Sequence, residues 1–162
     1  MTDKIYILLG SNLGNRKQNL ETAIFKLQQR VDICINRVSS VYETEPIDLQ
    51  DNGNSFLNQV IEISFDGFPE NLLTTLEIIE FEMGRKNKGN YQSRIIDLDI
   101  LFFNDRIVNS KTLKIPHKEI LNRPFAMIPL LELESDLVHP EEKILVSHFL
   151  NKKNRNNVKL YN

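Results

Sequence analysis

The sequence predicts an α/β (α+β) sandwich with a mainly antiparallel sheet. Short runs rich in β-branched and aromatic residues alternate with two segments whose apolar residues recur with the helical period, in the order βαββαβ. Strands that return beside one another around two helices are typical of the ferredoxin-like arrangement. A length of 162 residues, 41% hydrophobic and 26% charged, fits one globular domain. We therefore expect a single ferredoxin-like domain over residues 1–162.

The elements are predicted in order along the chain. Residues 4–9 form an apolar strand that Gly10 ends, and Asn15 caps a helix over residues 16–30. The remaining elements are strands at 31–45 and 55–65, a helix over 69–84, strands at 94–103 and 106–108, and helices at 124–133 and 144–150. Residues 151–162 are rich in asparagine and contain four basic residues and no acid, so we expect a frayed basic tail.

Charge and apolar runs argue against several kinds of partner. Twenty Lys and Arg against 22 Asp and Glu leave a net charge of −2, which provides no overall attraction to nucleic acid or to an anionic membrane. No apolar run approaches the roughly 18 residues that span a bilayer, and the first residues lack the pattern of a secretory signal. Cys34, the one cysteine, lies in an apolar run and is expected to be a buried thiol. We expect a cytoplasmic monomer with no nucleic-acid or membrane partner.

Two acidic residues interrupt the most apolar predicted strand. Because side chains alternate along a strand, Asp97 and Asp99 share one face, about 6–7 Å apart at Cα. The residues between and beside them, Ile96, Leu98 and Ile100, face the core. Carboxylates held this close repel unless a cation lies between them, and Mg²⁺ commonly binds one or two carboxylates together with phosphates. A solvated strand face with incidental acids is the alternative.

A basic loop comes directly before this strand. Residues 84–94 contain two glycines, Tyr91, no acid and four cations, which are Arg85, Lys86, Lys88 and Arg94. Such a loop could neutralise phosphate charge as a site closes over a Mg²⁺–polyphosphate complex. A cationic loop alone is more often a solvated turn, but its position before Asp97 favours a phosphate clamp.

Six motifs, in order, resemble those of one family, the 6-hydroxymethyl-7,8-dihydropterin pyrophosphokinases of folate biosynthesis. They are GSNLG at 10–14, SSVYETEP at 39–46, FLN at 56–58, RIIDLDIL at 94–101, IPH at 115–117 and RPFAMIPL at 123–130. Each motif is weak alone, but their order and spacing over residues 5–150 are specific. The resemblance implies transfer of a pyrophosphoryl group from ATP to the hydroxymethyl oxygen of the pterin, with release of AMP. It also implies two Mg²⁺ ions held by Asp97 and Asp99.

The resemblance further implies which residues bind each substrate. It places the pterin between the rings of Phe56 and Phe125, with the polar ring edge against Thr44, Asn58 and backbone groups of residues 45–47. The implied pterin-binding residues are Thr44, Glu45, Ile47, Phe56, Asn58, Tyr91 and Phe125. The implied ATP-binding residues are Glu77, Glu80, Arg94, Ile100, His117 and Arg123. The implied catalytic residues are Arg85, Arg94, Asp97 and Asp99.

Two other functions stay open on the residues alone. A ferredoxin-like module could bind RNA through the basic loop and tail, although the negative net charge and the lack of an aromatic RNA-binding pattern count against it. A Mg²⁺-dependent phosphohydrolase could use the same two carboxylates. Salt-dependent RNA binding without ATP turnover would favour the first, and phosphate release from ATP without a pterin would favour the second.

Overall fold

A six-stranded sheet with helices on both faces builds the molecule. The computed structural model describes residues 3–45, 54–85, 93–150, 155 and 157–162. The strands are Ile5–Ser11 (β1), Ile33–Val38 (β2), Tyr42–Thr44 (β3), Phe56–Phe65 (β4), Asp97–Phe103 (β5), Val108–Asn109 (β6), Lys114–Ile115 (β7) and Val158–Leu160 (β8). The helices are Arg16–Gln28 (α1), Pro69–Glu82 (α2) and Pro124–Leu133 (α3), with 3-10 turns at Ile120–Asn122 and Val146–Phe149.

The strand order confirms the predicted fold class. β1 lies at the centre between β5 and β4, and β2 and β3 share the far side of β4. β2 pairs with the second half of β4, β3 pairs with its first half, and β8 extends the sheet beyond β3. Each of these pairings is antiparallel. The order β5-β1-β4-β2 is that of a split βαβ unit, the ferredoxin-like arrangement.

Helices α1 and α2 cover one face of the sheet. The side chain of Asn15 accepts a hydrogen bond from the Gln18 amide at 3.2 Å, which fixes the start of α1 as the sequence predicts. Pro69 occupies the first turn of α2, and Gly84, with φ of +94°, follows its end. The buried helical stripes that face the sheet are Leu20, Ala23 and Leu27 on α1 and Leu72, Leu76 and Ile79 on α2.

Helix α3 covers part of the opposite face and leaves the rest for the functional site. Ala126, Met127 and Leu130 of α3 pack on Tyr6 and Val60 in a second buried cluster. This second cluster lies beneath one half of the sheet, while the side chains of the other half line an open cavity. Across the described ranges, no helix is both long enough and apolar enough to cross a membrane.

The prediction of one continuous strand over residues 31–45 is wrong, because the strand is interrupted between β2 and β3. The Ser39 amide still donates to the Val60 carbonyl at 2.9 Å, but the Ser39 hydroxyl accepts the Val60 amide in place of a backbone carbonyl, also at 2.9 Å. A short polar side chain therefore replaces a ladder bond. The helix predicted at 144–150 is reduced to the 3-10 turn Val146–Phe149.

The strands predicted at 94–103 and 106–108 do not pair with each other as a hairpin. Strand β5 begins at Asp97, and Val108–Asn109 pairs with Lys114–Ile115 in a separate two-stranded ribbon. Asn104 directs the chain away from a hairpin because its amide donates to the Lys4 carbonyl while its side-chain oxygen accepts the Lys4 amide, at 2.9 and 2.8 Å.

The expectation about the exposure of Cys34 is wrong as well, and part of the C-terminal tail is ordered in the sheet. Cys34 is exposed, because only its neighbours Ile33 and Ile35 point toward the core and the alternation of β2 turns the thiol outward. The tail expected to fray contains β8, whose residues 158–160 pair with β3. The pairing partner lies more than 100 positions earlier in the sequence, so the local composition of the tail did not reveal it.

Candidate functional site

The floor of the site is one row of residues across three neighbouring strands. In the ladders, Gly10 of β1 lies opposite Asp97 of β5 on one side and Asn58 of β4 on the other. With strands about 4.8 Å apart, Asp97 and Asn58 are separated by about 10 Å at Cα. A Cβ at Gly10 would lie 3.1 Å from the Asn58 side-chain oxygen and 3.9 Å from the Asp97 Cβ. The absence of a side chain at Gly10 therefore keeps the floor open between the amide and the carboxylate.

The two aspartates lie as the alternation predicts. Ile96, Leu98 and Ile100 belong to the core beneath α1 and α2, so Asp97 and Asp99 point to the opposite face. Both carboxylates are half-buried and line the cavity. The cavity has a volume of about 580 Å³, enough for a small heterocyclic ligand together with part of a nucleotide.

Arginine side chains surround the Asp97 carboxylate. Arg85, only 8% exposed, donates from Nη1 to Asp97 Oδ1 and to Glu80 Oε2, the latter at 2.5 Å, and also to the Ile96 carbonyl at 3.2 Å. Arg94 donates to the second oxygen of Asp97 at 3.3 Å. Burial alone would lower the pKa of the Arg85 guanidinium, but the Asp97 and Glu80 carboxylates outweigh it and raise this pKa above its ordinary value. Arg85 is therefore a fixed cation behind the aspartates.

The loop after β1 holds Arg94 in position. The Arg94 amide donates to the Asn12 side-chain oxygen at 2.7 Å, and the Asn12 amide donates to the Arg94 carbonyl at 3.1 Å. Asn12 is fully buried, and its side-chain amide also reaches the Asn54 carbonyl at 3.3 Å. The Gly-Ser-Asn segment at residues 10–12 thus joins three chain segments at the edge of the cavity.

Two aromatic rings and a polar pair form the other half of the cavity. Phe56 of β4 and Phe125 of α3 both line it, and each ring has an arginine guanidinium over it. The Arg94 guanidinium carbon lies 5.6 Å from the Phe56 centroid, and the Arg123 carbon lies 5.7 Å from the Phe125 centroid. Flat aromatic faces beside cations suit a planar heterocycle joined to phosphate.

Thr44 and Asn58 present polar groups at the base of this half. The Asn58 side-chain amide donates to the Thr44 hydroxyl at 3.0 Å, and both residues are buried and line the cavity. This bond leaves the Asn58 oxygen as an acceptor and the Thr44 hydroxyl hydrogen as a donor. The pair can therefore recognise a ring edge that carries both donors and acceptors.

Helix α3 is tied to β3, so the two sides of the cavity are fixed to each other. Glu132 of α3 accepts from the Ser40 amide at 2.9 Å and from the Tyr42 hydroxyl at 2.6 Å. Burial, together with the bond to Glu132, raises the pKa of Tyr42 to about 12, so the phenol stays protonated and donates. These bonds set the position of α3, which carries Phe125, relative to β3, which carries Thr44.

His117 lies near the cavity but does not line it. Burial and the positive charge of Arg123 lower its pKa to about 4, and its Nδ1 accepts the Glu119 amide at 3.1 Å. The ring is therefore neutral at physiological pH. A neutral imidazole could donate one hydrogen bond from Nε2 toward a phosphate.

The structure brings together most, but not all, of the residues that the sequence predicts for the site. The predicted residues that line the cavity are Thr44, Glu45, Phe56, Asn58, Arg94, Asp97, Asp99, Arg123 and Phe125. Glu77 is exposed on α2, Ile100 is buried in the core, and Glu80 is buried against Arg85. Ile47 and Tyr91 lie outside the described residues, as do Lys86 and Lys88 of the basic loop.

Several residues that line the cavity were not indicated by any pattern or motif in the sequence. Glu119 and Asn122 precede α3, and Asn157 and Val158 belong to the segment that was expected to fray. Asn122 directly precedes the RPF motif and could have been included on that ground. Asn157 and Val158 had no local signal, because only the pairing of β8 with β3 brings this segment to the cavity.

The aspartate pair fits a divalent cation. It provides carboxylate oxygens, the ligands that Mg²⁺ prefers, on one sheet face and at the edge of a cavity with room for phosphates. Within the described ranges, no group of three or more His, Cys, Asp or Glu side chains forms a closed metal cage. Two aspartates without further protein ligands are the open arrangement in which Mg²⁺ keeps water and substrate oxygens.

Comparisons with known proteins identify the family. The sequence model described as 7,8-dihydro-6-hydroxymethylpterin-pyrophosphokinase (HPPK) matches residues 6–135. The chain is 38% identical over 136 residues to 2-amino-4-hydroxy-6-hydroxymethyldihydropteridine pyrophosphokinase of Aquifex aeolicus, covering 84% of this chain and 83% of that one. It is 39% identical over 150 residues to the folic acid synthesis protein fol1 of Pneumocystis carinii, covering 93% of this chain but only 20% of that much longer one.

A solved structure supports the fold. The crystal structure of Plasmodium falciparum HPPK-DHPS wild type with SDX-DHP aligns with a TM-score of 0.74 at 18% identity, covering 98% of this chain and 47% of that one. At this identity the alignment supports the ferredoxin-like fold alone. The match to the family model, which covers most of the chain, and the 38% identity to the bacterial relative decide the family. The chain belongs to the 7,8-dihydro-6-hydroxymethylpterin-pyrophosphokinase family.

Proposed function

We propose that this chain transfers pyrophosphate from ATP to 6-hydroxymethyl-7,8-dihydropterin and releases AMP, as a step of folate biosynthesis. The observation that carries the proposal is a cavity in which an aromatic, hydrogen-bonding half adjoins a carboxylate pair flanked by arginines. Family membership and the name of the Aquifex relative, of which the chain covers 83%, support the same reaction. We also propose that one domain over residues 1–162 carries the activity.

The pterin occupies the aromatic half in this proposal. Phe56 and Phe125 contact the two faces of the ring, and Thr44 with Asn58 binds its polar edge, joined by backbone groups beside Glu45. The buried bond between Asn58 and Thr44 supports this arrangement because it orients both polar groups before the ligand arrives. Ile47 and Tyr91 stay predictions from the resemblance.

The ATP phosphates occupy the half near the aspartates. The hydroxymethyl oxygen forms a bond to the β-phosphorus, the bond from that phosphorus to the α,β-bridging oxygen breaks, AMP leaves with the electron pair, and the hydroxyl proton is released. Arg94 and Arg123 bind phosphate oxygens as negative charge moves toward the leaving group. Positioning and charge stabilisation dominate such transfers, so no strong general base is required.

Asp97 and Asp99 would hold Mg²⁺, and we propose two ions, as the resemblance implies. Bound magnesium would supply charge that stabilises the attacked phosphate and the leaving group. Arg85 keeps Asp97 oriented toward the cavity through its bond to Oδ1. Its burial supports a positioning role beside the catalytic one that the sequence predicts.

The remaining predicted ATP contacts are supported to different degrees. The neutral ring of His117 could donate to a phosphate oxygen, and the backbone of Ile100 could contact the adenine from the edge of the sheet. Glu80 is buried against Arg85, which favours an indirect role through that arginine. Glu77 stays a prediction from the resemblance, as do the monomeric state and the cytoplasmic location.

Phosphorus NMR of the purified protein with Mg²⁺-ATP, with and without 6-hydroxymethyl-7,8-dihydropterin, tests the reaction. We expect AMP and a new pyrophosphate ester only when the pterin is present. Inorganic phosphate or ADP in equal amounts with and without the pterin would instead establish the phosphohydrolase. Absence of turnover together with salt-dependent RNA binding would establish the RNA-binding module.

A matched pair of variants tests the aspartate assignment. Asp99→Asn keeps the size of the side chain but removes a carboxylate from the cavity, and we expect turnover to fall about 100-fold or more. Asp105→Asn makes the same change at an exposed position just after β5 and should leave turnover unchanged. Near-normal activity of Asp99→Asn, with wild-type circular dichroism, would contradict the metal assignment.

A further inference from the structure

The C-terminal strand β8 reaches the functional cavity from the outer side of the sheet. Thr44 of β3 lies directly opposite Phe56 of β4 on one side and opposite Val158 of β8 on the other. Directly opposed residues point to the same sheet face with Cβ atoms about 4.5–5.5 Å apart. Phe56, Thr44 and Val158 therefore form one row, and Asn157 lines the cavity beside it.

Contacts outside the cavity hold β8 in place. The Tyr161 amide donates to the Val41 carbonyl at 2.9 Å, and the Tyr161 side chain packs against the core beneath α1 and α2. The Arg16 guanidinium carbon lies 5.8 Å from the Tyr161 ring centroid. The same guanidinium donates to Glu43 of β3 at 2.6 Å, so it joins α1, β3 and the C-terminal segment.

Strand β8 lies outside the part of the chain that the family model matches. That match ends at residue 135, more than 20 positions before Val158. Without β8, β3 would be the edge of the sheet, and its backbone groups would be exposed to water beside the Thr44 hydroxyl. The strand thus covers both a backbone edge and one side of the cavity.

We propose that β8 is a wall of the pterin-binding half of the cavity, with Val158 in contact with the ring and the Asn157 amide beside its polar edge. The inference rests on the proposed function, because it assumes that the pterin lies between Phe56 and Phe125. An apolar side chain in the same row as Phe56 excludes water from the ring, and an amide can complement ring nitrogens and oxygens. The ATP half is built by other residues, so β8 affects the affinity for the pterin and not that for ATP.

Steady-state kinetics of single-residue variants tests this wall. Val158→Ala removes two methyl groups from the cavity side of β8, and we expect KM for the pterin to rise about tenfold. We expect Asn157→Ala to raise the same KM, while KM for ATP changes less than twofold in both variants. The dissociation constant of 6-hydroxymethylpterin, the stable oxidised analogue, measured by titration calorimetry, should rise in parallel.

Lys159→Ala is the matched control. Lys159 lies on the same strand but is exposed and points to the opposite face. It should leave both KM values unchanged. Thermal unfolding of all three variants shows whether the sheet is intact, and a midpoint within about 2 °C of the wild type assigns a KM change to the cavity.

The outcomes separate this inference from the proposed function. If the wild type turns over the pterin while Val158→Ala and Asn157→Ala leave its KM unchanged, the wall is refuted and the reaction stands. A rise in KM for ATP equal to that for the pterin would also refute it. If the wild type neither binds 6-hydroxymethylpterin nor turns over the dihydropterin, both fail together.

Discussion

Replacing Arg85 by methionine should destabilise the fold strongly, because Arg85 and Glu80 form a buried ion pair. Their side chains are each 4% exposed, and Nη1 lies 2.5 Å from Oε2. Unit charges about 4 Å apart attract by about 4 kcal/mol at an effective dielectric constant of about 20. Removing one partner of such a pair typically costs about 3–5 kcal/mol, since the other charge stays buried without its counterion. For a domain of this size the midpoint of thermal unfolding should fall by roughly 6–20 °C.

Urea unfolding at pH 7 measures this loss against a matched control. Lys26 of α1 and Glu82 of α2 form an ion pair at 2.9 Å, but their side chains are 33% and 49% exposed. Lys26→Met removes one partner of that pair, and the free energy of unfolding should fall by less than about 1 kcal/mol. The comparison holds the type of substitution constant and changes mainly the burial of the pair.

A double variant tests the coupling between Arg85 and Glu80. Glu80→Gln removes the charge but keeps an oxygen that can accept the Leu98 amide, which donates to Glu80 at 3.0 Å. We expect Arg85→Met with Glu80→Gln to regain about 2 kcal/mol relative to Arg85→Met alone, whereas turnover stays low because Asp97 still lacks the Arg85 cation. The reasoning would be refuted if Arg85→Met lowered the free energy of unfolding no more than Lys26→Met does. It would also be refuted if the double variant recovered none of that loss.

Three further predictions concern the aromatic wall, the buried histidine and the cysteine. Phe125→Ala should raise KM for the pterin by roughly 5- to 150-fold, the range expected when a ring loses a stacking partner, and equal losses for ATP in the same kinetic assay would contradict the stacking role. His117 has a folded-state pKa of about 4, below its ordinary value, so the unfolded chain binds the extra proton first and stability is lost as pH falls from about 6.5 to 4. His117→Gln should remove roughly 3 kcal/mol of that pH dependence in denaturant titrations, and an unchanged profile would count against a buried neutral ring. Because Cys34 is exposed, native protein should react with a thiol reagent at one equivalent per chain without loss of activity, and a thiol that reacts only after unfolding would restore the buried assignment.

The sequence was most informative where local periodicity and chemistry coincide. Asp97 and Asp99 could be assigned to one face because strand alternation follows from backbone geometry alone. The stripes on α1 and α2 were predictable for the same reason, since each helix faces the sheet along one line. The roles implied for Phe56 and Phe125 could not be predicted from any local pattern, because they depend on the family motifs.

Features that depend on distant partners could not be predicted from local sequence. The Ser39 hydroxyl interrupts a strand because it accepts the Val60 amide in place of a backbone carbonyl. Nothing in the neighbouring residues requires this bond. Val158 lies in a three-residue strand whose partner is Thr44, and so short a strand has no period to detect. The apolar run around Cys34 predicts burial on both sides of the strand, whereas β2 has only one side facing the core.

The cavity has a consequence for when the chain becomes able to bind ligands. Leu8 and Val158 line the same cavity although 150 positions separate them in the sequence. A complete cavity therefore requires that β1 and β8 be in place together, and a chain that has formed only one helix and its neighbouring strands has no complete cavity. Because ligands bind the assembled state and not the unfolded one, saturating substrate should stabilise the whole sheet at once. In hydrogen-exchange measurements, bound substrate should then protect backbone amides across the whole sheet, from β5 at one edge to β8 at the other. Such protection would show that folding is complete.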